Sequence, residues 1–77
     1  GFGAPIRNWI HGPLKTLVWD TLSETSINNR NWFDAKAVTR LLNEDKKGKT
    51  DASYSIFALL CIEIWARIFL NKNIINN

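Results

Sequence analysis

Few residues in this 77-residue chain are of a type that does chemistry, and their spacing rules out most of it. His11 is the only histidine and Cys61 the only cysteine. Neither has His, Cys or carboxylate neighbours at metal-ligand spacing, so no metal site is predicted. Cys61 lies inside an apolar run and reads as a small core residue; a reactive thiol needs a cationic, partly open setting. His11 precedes Gly12 near a helix end, an ordinary place for a surface imidazole facing the helix dipole. Glu63 and Arg67 stand four apart, the spacing of an ion pair along one helix. A general acid and base would also need a cleft, which this helix does not advertise. The glycines of the opening GFGAP are too few, and follow no strand, to cradle phosphate. Lys46, Lys47 and Lys49 beside Gly48 form the one basic run. It could meet phosphates, but no helix offers a matching basic face, so it reads first as a solvated loop.

The elements that position these residues are helical. Residues 53–70 are apolar, aromatic or Cys except for Ser53, Ser55, Glu63 and Arg67. Such a run predicts a central helix covered by protein around most of its circumference. Ahead of it, residues 1–5 read as an irregular lead-in loop, and Ile6, Trp9 and Ile10 give one short apolar stripe ending at Gly12. Pro13 suits the start of a second helix with Leu14, Leu17, Val18 and Leu22 inside and Trp19 alongside. The polar, Asn-rich residues 24–31 read mostly as loop, with Ser26 able to cap one turn around Ile27. Asp34 is a good N-cap for a helix burying Val38, Leu41 and Leu42, onto which Phe33 could staple. Gly48 ends that helix, Thr50 or Asp51 caps the last one, and residues 71–77 form a frayed tail with Ile74 and Ile75 as its last possible contacts. The expected fold is all-α: three main helices and one short N-terminal helix in a compact open bundle around the hydrophobic C-terminal helix.

The composition, 45% apolar with four Trp and four Phe, excludes a disordered chain. At this length the stability is marginal. A sequence without Met that opens on Gly1 is expected to be a piece of something longer. A single cysteine forms no internal disulfide and fits a reducing compartment. The apolar run is broken by Glu63 and Arg67 and is read as too short and too charged to span a membrane.

Several stretches together resemble the C-terminal end of the glutamine-hydrolysing asparagine synthases. That family carries a Lys-x-Gly-Phe-x-x-Pro-x-x-x-Trp segment, matched by Gly1, Phe2, Pro5 and Trp9, with the lysine falling before Gly1. Gly12, Pro13 and Leu14 then match a Gly-Pro-Leu helix. Phe33, Asp34, Leu41 and Leu42 match a Phe-Asp step into a helix with a Leu pair. A basic Gly-bearing loop precedes a helix resembling Leu-Trp-x-Leu-Leu-x-Leu-Glu-x-Trp. Here Phe57, Ala58, Leu59, Leu60, Ile62, Glu63 and Trp65 supply it, with Phe57 where a Trp is common.

The resemblance implies residues 1–77 are a C-terminal helical subdomain of a synthetase domain. The parent would use ATP and Mg to adenylate the aspartate side chain and would transfer ammonia from glutamine to give asparagine in the cytoplasm. The family's N-terminal Cys nucleophile and Ser-Gly-Gly-x-Asp-Ser pyrophosphate loop have no counterpart here. The chain is therefore expected to bind no cofactor and to be inactive alone. Gly1, Phe2 and Gly3 would border the parent's nucleotide site, with no catalytic residue in the chain. The expected partners are the remainder of the synthetase domain and, for the isolated chain, a second copy of itself; neither membrane nor nucleic acid is expected. Two other readings stay open: a small basic helical module binding nucleic acid or protein, and the same region of another amide-forming relative, such as a β-lactam or lasso-peptide cyclase.

Overall fold

The computed structural model describes residues 4–71. Gly1, Phe2 and Gly3, and the tail from residue 72 with Ile74 and Ile75, lie outside the described residues. The fold is all-α. In chain order the helices are α1 (Ala4–His11), α2 (Lys15–Thr21), α3 (Glu24–Arg30), α4 (Ala35–Lys46) and α5 (Ser53–Ala66), and α5 runs on into a π-helical turn, Arg67–Asn71. No strand occurs among the described residues. Helix α5 packs against α1, α2 and α4, while α3 packs on α2 and α4. The core they share contains Ile10, Val18, Leu22, Ile27, Ala35, Val38, Leu42, Ala52, Ile56 and Leu60. Burying a side chain such as Ile56 or Leu60 contributes about 1.5–3 kcal/mol.

The ends of the helices follow from local chemistry. At Gly12 a Cβ would stand 2.8 Å from the Asn8 carbonyl oxygen, so only glycine lets the chain turn there from α1 into α2. The α4 terminus is a Schellman motif: Lys49 N–H donates to Glu44 O at 3.0 Å and Gly48 N–H to Asp45 O at 3.1 Å, with Gly48 at φ +80°. Asp34 caps α4 by accepting from the Lys36 and Ala37 N–H groups. Asp51 accepts from the Ser53 N–H at 3.1 Å and so serves the first turn of α5 from one residue before its N-cap, Ala52.

Several sequence expectations change. Residues 24–30 are helical. Ser23, not Ser26, is the cap: its Oγ accepts from the Ser26 N–H, and Asn31 ends the helix in the left-handed region at φ 61°. With Ile27 the one apolar residue of α3, the segment has no hydrophobic period to read. Residues 4 and 5 open α1 instead of ending a loop, and Asn71 closes the π turn instead of opening the tail. Leu17 faces out while Thr21 is buried with Val18 and Leu22, because α2 begins at Lys15 and turns its stripe accordingly. Trp9 and Phe33 are also largely exposed.

The largest correction concerns α5, whose inward stripe is Ser53, Ile56, Leu60, Glu63 and Ala66. Tyr54, Ala58, Cys61, Ile62, Trp65, Ile68 and Phe69 are exposed. Only one side of the helix is covered, two of its four polar residues point inward, and Cys61 is a surface thiol, not a core residue. By length and composition alone Ser53–Leu70 could cross a membrane, the single such helix among the described residues.

Candidate functional site

Two buried carboxylates organise the polar interior. Asp45 takes the last place on the apolar stripe of α4, after Ala35, Val38 and Leu42, and is 1% exposed. Helix α1 presents Arg7 and His11 to it from one face, four residues apart. Arg7 Nη1 donates to Asp45 Oδ1 at 2.9 Å, and His11 Nε2 lies 2.6 Å from Oδ2. The Ala52 N–H, at the head of α5, donates to the same Oδ1 at 2.7 Å. Arg7 Nη1 also reaches Asp51 Oδ1 at 2.9 Å and Ser53 Oγ at 3.4 Å, and the Ser53 hydroxyl donates to Asp51. One carboxylate thereby ties α1, the end of α4 and the start of α5 together.

Burial pushes the Asp45 carboxyl up. The Ala52 N–H, Arg7 and His11 outweigh that and leave it below its ordinary value. Asp51 is held low chiefly by the Ser53 hydroxyl and N–H, with Arg7 adding to them against a smaller effect of burial.

Glu63 is the second centre. Arg30, from the last turn of α3, grips it bidentately, Nε on Oε1 and Nη2 on Oε2, both at 3.0 Å. Arg67 Nε adds a bond to Oε2 at 2.9 Å. Burial again pushes the carboxyl up, and the two guanidinium groups bring it below the usual range. Arg30 also stands 5.5 Å from the Trp32 ring centroid, a cation–π contact.

Neither cluster has the geometry of an active centre. A nucleophile must contact its base, yet the Ser53 hydroxyl is spent on Asp51 and Arg7, and His11 is spent on Asp45. All four oxygens of Asp45 and Glu63 already accept from cations or N–H groups. Among the described residues, no group of three or more His, Cys, Asp or Glu could hold a metal ion. Both clusters join helices.

The Glu63–Arg67 pair expected from spacing is present, with Glu63 buried and Arg67 exposed, and the bidentate partner of Glu63, Arg30, comes from the segment read as loop. The Arg7–His11–Asp45 cluster went unread. Its signal was a carboxylate on an apolar stripe, which must find cations elsewhere in the fold. Lys46, the last residue of α4, and Lys47 and Lys49 in the α4–α5 loop are exposed, with Lys46 5.6 Å from the Trp19 ring centroid. The expected edge of a nucleotide site, Gly1, Phe2 and Gly3, lies outside the described residues.

The fold is an all-α bundle whose buried polar residues clamp helices together. The asparagine synthase family matches residues 1–67, and the chain belongs to that family. It is 29% identical, over 75 residues, to proteins from Mycobacterium bovis and from two strains of Mycobacterium tuberculosis named as glutamine-hydrolyzing asparagine synthetases. The match takes in 97% of this chain but 11% of each relative. No solved structure is significantly similar to it.

Proposed function

We propose that this chain is the C-terminal helical part of the synthetase domain of a glutamine-hydrolysing asparagine synthase, and that it acts as a structural cap beside the nucleotide site. The observation that carries this reading is the family match, which runs from residue 1 to residue 67. Residues 1–3 lead directly into α1, and α1 is fixed by Arg7 and His11 on Asp45. That anchorage supports a role for the clamp in orienting Gly1, Phe2 and Gly3 at the edge of the parent's nucleotide site.

The parent would adenylate aspartate with ATP and Mg and transfer ammonia to it. The two core carboxylates do not fit a magnesium ion, since their oxygens already accept from cations and N–H groups. The metal and nucleotide belong to the remainder of the domain, the proposed partner. The inward Glu63, paired with Arg30 of another helix, supports packing against protein rather than a bilayer, because a carboxylate facing lipid is costly. A single cysteine, Cys61, which forms no internal disulfide, fits a cytoplasmic setting.

The test is asparagine formation from aspartate, ATP and ammonia. The 77-residue chain alone should give none. A synthetase lacking this region should be inactive and should regain turnover when the chain is added in trans. Turnover by the isolated chain, or full activity without the region, overturns the proposal.

A further inference from the structure

We draw no further inference here: the strongest candidate, the outward apolar face of α5 that exposes Tyr54, Ile62, Trp65, Ile68 and Phe69, carries nothing, because nothing in the structure shows what covers it.

Discussion

Helices α4 and α5 bury the same stripe. In α4 it is Ala35, Val38, Leu42 and Asp45; in α5 it is Ser53, Ile56, Leu60 and Glu63, each a small residue, a β-branched aliphatic, a leucine and an acid at spacings of three, four and three. The two acids are nonetheless satisfied differently. Asp45 sits at a helix end and gathers a side chain pair from α1 and a backbone N–H from the head of α5. Glu63 sits near the end of a longer helix, takes one cation from its own chain four residues on, and gains its bidentate partner from α3. Asp45 therefore fixes how three segments meet, whereas Glu63 fixes one helix on another.

Acidification acts on both centres and should have the largest effect. Both folded carboxyls titrate below their ordinary values near 4, so the unfolded chain binds protons first as pH falls. Their contribution is present above about pH 4 and lost as pH drops through the folded values. Circular dichroism should show a cooperative acid transition, and an acid-insensitive fold would contradict the depressed values.

Removing the centres singly separates them. Asp45→Ala should cost about 3 kcal/mol in urea unfolding, because it strands the buried Ala52 N–H along with Arg7 and His11. Glu63→Ala should cost about 2 kcal/mol, since Arg67 is half in water and can hydrate. An equal or inverted order would mean that the backbone donor at Ala52 contributes nothing.

Smaller changes in the supporting turns should divide along the same line. Gly48→Ala forces a side chain into a left-handed conformation, and Ser23→Ala removes the α3 cap; each should cost about 1 kcal/mol. Hydrogen exchange should then rise around Asp45 in the first variant and around Arg30 in the second. Spread of either effect to both sites would show the two clamps to be one cooperative unit. Least of all, Arg67→Ala should lose about 0.5 kcal/mol, since that pair is partly exposed and Arg30 remains on Glu63.

These two helices also show how far the chain could be read without its fold. The buried face of α4 was legible at Val38 and Leu42 because Lys36 and Arg40 mark the wet side; Glu44, expected there with them, is half-buried. Helix α5 is apolar nearly all round, so periodicity could not choose a face. The face that packs inward is the one bearing Ser53 and Glu63, since that is where Arg7 and Arg30 reach them. The same ambiguity misplaced Cys61. In α3, caps at Ser23 and Asn31 and a single buried Ile27 make a helix that no hydrophobic pattern announces.

By itself the sequence determined the all-α class, four of the five helices, the terminators at Gly12 and Gly48 and the i,i+4 pairing of Glu63 with Arg67, all set by contacts within about five residues. The family, too, was carried by motif order along the chain. Only the tertiary structure decided which side of α5 is dry and which cations meet Asp45 and Glu63. Those contacts join residues more than thirty positions apart, and a buried charge takes whichever partner the packing of the helices brings within reach.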